Sequence, residues 1–350
     1  MKKLLIFTLL SATLLLGAVP RELSFYIVEP LSGPPPVIDG KLDEAVWRKA
    51  AVFSNYLTFN RPLPEPGKIR TEFRMLYDNR GIYLGIVNFE PHPEKLQRRI
   101  TDFDNENIWR DDCAELFFDA RANGISYHCF KINCIGTRMD FRRMDAAVYQ
   151  TDWSGTGWTA RTAIEKDRWN IEAFFPWSDL PEKADVSDLW MFCHVRFAYT
   201  SGNFIGVTSS LLGGYSNPRK FGYLYFKGKN ESVTAEKIAA RLGRSAEEPW
   251  GMQFGDTLIL RQKGVHALKK AEDAFRDAFG NLEAVSRELE RIRTQPEWRR
   301  FHAELNAMKQ EQNLLRKQKE RNFYLLQQIF RLEERYRKLK WKIALEETLN

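Results

Sequence analysis

Ile108-Trp109-Arg110-Asp111-Asp112-Cys113-Ala114-Glu115-Leu116-Phe117-Phe118-Asp119 is the stretch on which the fold turns. On a two-residue period, Cys113, Glu115 and Phe117 point to one side of a strand, and Ala114, Leu116 and Phe118 to the other. Both sides are mostly apolar, as in a strand covered by neighbouring layers. A lone carboxylate in such a setting costs free energy unless something polar meets it. With an indole at the mouth of the same strand, the pattern predicts a hydroxylated, ring-shaped ligand.

Outward from this strand the chain reads as all-β from about Val37 to Phe226. Thr71 to Tyr77 alternates, breaks at Asp78-Asn79-Arg80-Gly81 and resumes from Ile82 to Phe89, which predicts a hairpin. The Trp109 to Asp119 strand is followed by a turn at Asn123-Gly124 and a strand from Tyr127 to Cys134. Trp158 to Ile164 and Trp169 to Phe175 form another hairpin, and Trp190 to Tyr199 and Phe221 to Phe226 complete the set. One short helix is expected over Leu42 to Trp47. Many short strands with regular turn signals predict a two-sheet antiparallel β-sandwich.

The remaining sequence sorts into further segments. Lys2 and Lys3, the apolar run Leu4 to Leu16 and the small residues after it predict an export signal over residues 1–18 and a periplasmic, secreted or cell-surface location. The sandwich is expected over 19–228, a linker with a short helix near Ala235 to Leu242 over 229–262, and a helical hairpin or coiled coil over 263–350. In that last segment Val265, Leu268, Ala271, Phe275, Phe279, Leu282, Val285, Leu289 and Ile292 recur at threes and fours. Thr294-Gln295-Pro296-Glu297 matches a capping box opening a second helix. That helix carries a seam from Trp298 to Ile343 and would overhang the first by roughly twenty residues, or about 30 Å. Gln312, Lys319 and Asn322 weaken its seam, so the overhang predicts self-association or a protein partner. The net charge is +7, yet residues 261–350 alone carry 21 Lys/Arg against 14 Asp/Glu. The aromatic-rich front part is therefore mildly acidic, which argues against nucleic-acid binding. Cys113, Cys129, Cys134 and Cys193 lack the spacing of a zinc site. Export would permit disulfides, and successive strands suggest a Cys113–Cys129 bridge among the three pairings.

Four motifs in order resemble the family 9 carbohydrate-binding modules over about Val37 to Phe226. They are Val37-Ile38-Asp39-Gly40-Lys41-Leu42-Asp43-Glu44-Ala45-Val46-Trp47, the Trp109 to Asp119 strand, Phe130-Lys131-Ile132-Asn133, and Tyr215-Ser216-Asn217-Pro218-Arg219-Lys220-Phe221-Gly222. The resemblance implies a sugar held between two aromatic plates, Trp109 and Tyr215, with Glu115, Lys131, Asn133 and Asn217 as polar contacts. Tyr215 replaces a family Trp and offers a smaller face. Lys131 replaces an Arg and loses its bidentate fork. Members of the family also carry structural calcium after the Glu strand, but Ala120 to Ser126 lacks acidic residues here. The implied function is non-catalytic carbohydrate binding, with the helices serving assembly or attachment.

Other chemistries find less support. Asp112 and Glu115 are three apart on a strand and point oppositely, unlike a glycosidase pair facing across a cleft. No serine elbow, His/Cys pair or phosphate loop stands out. Asp102, Asp104 and Glu106 alternate in a loop that lacks the glycine of an EF-type turn. Two rival readings stay open: a haem b electron-transfer module using His128, Met139, Met144 or His194, and a sandwich without ligand that acts only through protein contacts.

Overall fold

The computed structural model describes residues 19–59, 65–145, 147–211, 215–243 and 249–349, so the expected export signal lies outside the described residues. The chain forms two units, one running from Leu23 to Ser232 and the other joining the stretch up to Glu22 with Val233 onward. A two-residue strand, β1 (Arg21–Glu22), belongs to the second unit.

The first unit is the sandwich. Its elements are β2 (Phe25–Pro30), α1 (Ala45–Lys49), β3 (Leu57–Thr58), β4 (Glu65–Pro66), β5 (Thr71–Tyr77), β6 (Gly81–Phe89), β7 (Cys113–Asp119), β8 (Tyr127–Asn133), β9 (Arg138–Arg143), β10 (Tyr149–Gln150), β11 (Thr159–Ile164), β12 (Arg168–Pro176), β13 (Leu189–Ala198), β14 (Ile205–Thr208) and β15 (Gly222–Phe226). One layer runs β10-β9-β8-β7-β13-β15 and the other β5-β6-β12-β11. Strand β2 joins them, pairing with β15 through Phe25 to Val28 and with β5 through Glu29 and Pro30. Both β2 pairings are parallel, a departure from a purely antiparallel sandwich.

The alternation expected on β7 holds. Ala114, Leu116 and Phe118 enter the core with Phe130, Ile132, Trp190 and Phe192 from their own layer. Ile82, Leu84, Ile86, Trp169, Ile171 and Phe175 meet them from the other. Each large side chain buried there stabilises the fold by about 1.5–3 kcal/mol. One cation crosses this interior. The Arg196 guanidinium is 3.2 Å from the Glu90 carboxylate and donates to the carbonyls of Arg70 and Phe89 on the facing layer. Pairing and hydrogen bonding together offset the cost of burying that charge.

The second unit departs from the expected linker and hairpin. Besides β1 it contains α2 (Ala235–Leu242), β16 (Trp250–Phe254), β17 (Thr257–Gln262), β18 (Val265–Lys270), α3 (Ala271–Glu288), α4 (Arg299–Lys317) and α5 (Phe323–Leu349). The expected short helix is α2, and the end of the supposed linker lies in a four-stranded sheet, β1-β16-β17-β18. Val265 and Leu268 lie on β18, where both are exposed, and not on a helical seam. Short turns at Glu290–Thr294 and Pro296–Trp298 separate α3 from α4. Thr294 does not cap: its hydroxyl donates back to the Arg291 carbonyl. The expected long second helix breaks at 318–322, so its overhang becomes α5, packed on α3 and α4. The seam residues themselves, from Leu282 and Trp298 to Tyr336 and Ile343, are buried in one core.

Candidate functional site

Glu115 and Lys131 are opposite each other on β7 and β8, on the side of the sheet away from the sandwich core. Lys131 Nζ lies 2.8 Å from Glu115 Oε1, and the two side chains are only 13% and 4% exposed. Burial is the largest single influence and pulls the Lys131 ammonium toward neutrality, but the charge and hydrogen bond of Glu115, with Cys129 and Cys113, together outweigh it and its pKa ends up raised. The aromatic ring of Phe141 lies 5.6 Å beneath the ammonium. This is a nearly sealed ion pair among apolar neighbours.

Aromatic side chains gather toward the Cys113 end of that face. Phe197 on β13 is the register partner of Cys113. Tyr215 packs on Phe197 and Phe59, with ring centroids 6.1 and 4.9 Å away. Phe204 joins Phe59, Phe197 and Tyr199. The Tyr199 hydroxyl donates to the Trp109 carbonyl at 2.8 Å. Burial, and then the neighbouring Cys113, Asp112, Glu115 and Asp111, push the Tyr199 phenol up to about 12. Trp109 sits in a turn, Glu106–Arg110, just before β7 and not on the strand; it is 41% exposed, with the Arg110 guanidinium 5.3 Å from its ring. Tyr199, Phe204 and Tyr215 thus form an aromatic rim at one end of the face that holds the buried pair, and the Trp109 backbone is tied to it through the Tyr199 hydroxyl.

The other expected contacts fall out differently. Asn133 is fully buried and its amide is saturated. Nδ2 donates to the Ile100 carbonyl and the Asp111 carboxylate, and Oδ1 accepts the N–H groups of Ile135 and Thr137. It braces a loop and has no capacity left for a ligand. Asn217 is exposed, and its Oδ1 accepts the Arg219 N–H to start the turn Pro218–Lys220. Asp111 and Asp112 are buried acceptors for backbone N–H groups, Asp111 from Arg99 and Ile100, Asp112 from Gln97 and Tyr199. They staple residues 97–100 beside β7, so neither faces a substrate as an acid or base. Sequence reasoning missed Tyr199 and Phe204. The one available signal was the turn-rich Thr200-Ser201-Gly202-Asn203 between them, which brings both rings to the same end.

The cysteines are all free and buried. Cys129 is opposite Phe117 and Cys113 is opposite Asn133, so the expected bridge is out of register. Burial raises all four thiols, which suits inert core residues. The Asp119 carboxylate accepts the Gly124 N–H at 2.8 Å and so closes the turn after β7. Among the described residues no three Asp, Glu, His or Cys side chains are grouped as a metal ion would need. The haem donors do not converge. His128 and His194 lie on the core side of their strands, with Nδ1 bonded to the Asp179 carbonyl and the Tyr56 hydroxyl respectively. Met139 faces the opposite side, across from Lys131.

Residues 38–229 match the profile of the Carbohydrate family 9 binding domain-like family. Among solved structures, a carbohydrate-binding module of family 9 from Caldicellulosiruptor kristjanssonii matches in two complexes, with glucose and with cellotriose. Each is 17% identical with a TM-score of 0.43 and covers 60% of this chain, and 99% and 97% of its own. A protein of suspected carbohydrate-binding role from Bacteroides uniformis matches at 15% identity and a TM-score of 0.48, over 59% of this chain and 100% of its own. No curated protein matches the sequence.

Proposed function

The chain belongs to the carbohydrate family 9 binding domain-like family, and from that premise we propose that the Glu115 face binds a saccharide without catalysing its breakdown. The observation that carries the reading is the aromatic rim at one end of a buried, oppositely charged pair. Sugar C–H faces stack on indole and phenol rings, while carboxylate and ammonium exchange their mutual bond for bonds to ring hydroxyls. Trp109 and Tyr215 act as the plates. Glu115 and Lys131 supply the polar floor, and Asn217 lies on the segment that leads from Tyr215 toward the Phe221 contact with Phe117. A site of a few hydrogen bonds and two rings binds at about 1 mM to 1 μM.

Export by the N-terminal Lys2 to Leu16 pattern would place this module where polysaccharides are met. The helical unit then serves attachment or assembly. Its outer surface carries Trp341 at 76% exposure and Leu345 one turn away, an apolar pair suited to a protein partner.

The test is Trp109→Ala in the full chain. It should weaken binding of the preferred sugar at least tenfold, about 1.4 kcal/mol, and remove the sugar-dependent change in Trp fluorescence, with the far-UV spectrum unchanged. Unaltered affinity in a folded variant would reject the face.

A further inference from the structure

Several arginines of the sandwich are met by carboxylates: Arg70 and Arg74 by Glu72, Arg80 by Asp78, Arg168 by Asp167 and Arg196 by Glu90. A cavity of about 180 Å³ opens where β8 begins and β9 ends. Arg121, Arg142 and Arg143 line it with Tyr127, His128 and Trp153, and no carboxylate residue is part of the lining.

Neutral groups hold Arg142, while Arg143 also faces the charge of the Asp145 carboxylate. Arg142 Nε donates to Gln150 Oε1 at 2.6 Å, and its guanidinium lies 5.6 Å from the Trp153 ring. Arg143 Nε donates to the Asp145 carbonyl, with its guanidinium over Tyr127 and Tyr149. The Nη edge of Arg142 is uncommitted. His128 Nδ1 must donate to the Asp179 carbonyl, which can only accept, so in the neutral ring the other nitrogen is an acceptor. Burial first, and then the Arg142 charge, lowers the His128 pKa and favours that neutral ring.

Like charges around one space repel, and an anion between them converts repulsion into attraction. Guanidinium edges match the paired oxygens of carboxylates and sulfates. The space would hold about six waters at liquid density, more than a bare oxyanion fills.

We propose that this cavity is a second ligand site that takes the carboxylate or sulfate ester of an acidic sugar on Arg142 and Arg121, with a neighbouring hydroxyl donating to His128. The anionic half of the assignment stands on the cavity alone. The sugar half rests on the family reading above.

Calorimetric titration of the full chain tests both halves, with glucose, glucuronate, glucose 6-sulfate and inorganic sulfate as probes at low salt. Glucuronate or glucose 6-sulfate should bind at least tenfold tighter than glucose, and the tighter of the two identifies the acidic group. Arg142→Gln should weaken that binding at least fivefold, and Arg121→Gln, an exposed position, should do the same without touching the fold. Trp109→Ala should leave it in place. Inorganic sulfate binding as tightly as the acidic sugars would overturn the sugar assignment. Loss in Trp109→Ala with retention in both arginine variants would move the acidic sugar to the Glu115 face and overturn the second site. So would the absence of any acid-dependent gain. If glucose fails to bind through Trp109 while the arginine-dependent component persists, the Glu115 face falls and the cavity stands.

Discussion

Glu172 on β12 is fully buried, and its carboxylate accepts the N–H groups of Asp39 and Gly40 and the indole N–H of Trp47. It thereby pins the entry motif to the outer side of the second layer. Burial pushes its pKa up to about 7, against the downward pull of those hydrogen bonds. The unfolded chain titrates near the ordinary 4.5, so the folded state holds the extra proton between the two values. The resulting stability is complete below about 4.5 and is lost as pH rises through about 7. In urea unfolding the stability of the protein relative to Glu172→Gln should therefore fall from pH 5 to pH 8; a difference that stays constant across that range would refute the linkage. Asn133 makes a second residue-scale case. Asn133→Ala should cost about 1–3 kcal/mol, because it leaves the Thr137 and Ile135 N–H groups without their acceptor, and sugar affinity per folded molecule should not change. A selective loss of affinity at unchanged melting temperature would restore Asn133 as a ligand contact. Glu115 and Lys131 were legible in the sequence because a two-residue period fixes which side chains share a face. The roles of Asn133 and Tyr199 were not, because both depend on where a loop distant in sequence is tied down.

At the scale of elements, the residues that seemed to weaken a long seam mark its end. Gln312 is buried and accepts the Tyr336 hydroxyl, while Lys319 and Asn322 lie in the break between α4 and α5. Asn322 Oδ1 accepts the Leu325 N–H at 3.0 Å, the bond of an N-cap residue to the third helical position. Asn322→Ala should cost about 1 kcal/mol, read as a lower midpoint in thermal or denaturant unfolding. No change would mean that packing alone sets the break. The shifted phase of the seam after Leu315 was the legible trace of this turn. A gap in hydrophobic spacing reads equally as a weak continuous helix, and only the side-chain cap decides. The same ambiguity concealed β18, since Val265 and Leu268 are three apart, a spacing common to helices, while their exposure removes the alternation that marks a strand.

At the scale of the whole molecule, the sandwich is spliced into the helical unit. β1 pairs in parallel with β16, Arg21 opposite Trp250 and Glu22 opposite Gly251, so the chain leaves this sheet at Glu22 and returns to its unit only at Val233. No reading of local periodicity finds a pairing between two-residue strands so far apart in sequence. That closure has an energetic role. The Gln327 side chain of α5 donates to the Pro20 carbonyl, and Leu258 of β17 belongs to the same core as Leu282 and Tyr336. At Gly251 an added Cβ would come within 2.4 Å of the Phe323 ring, so the helix depends on a bare backbone there for its close approach. The helices beyond residue 264 are therefore an incomplete folding unit, because they leave behind the sheet that covers part of their core. A fragment of residues 264–350 should show helical circular dichroism with a broad, weakly cooperative melt. Residues 233–350, rejoined to residues 19–22 through a short Gly/Ser linker, should melt cooperatively as a soluble unit. Cooperative melting of the shorter fragment at the same midpoint would show that the sheet adds nothing to the helical core and that the three helices fold on their own seam.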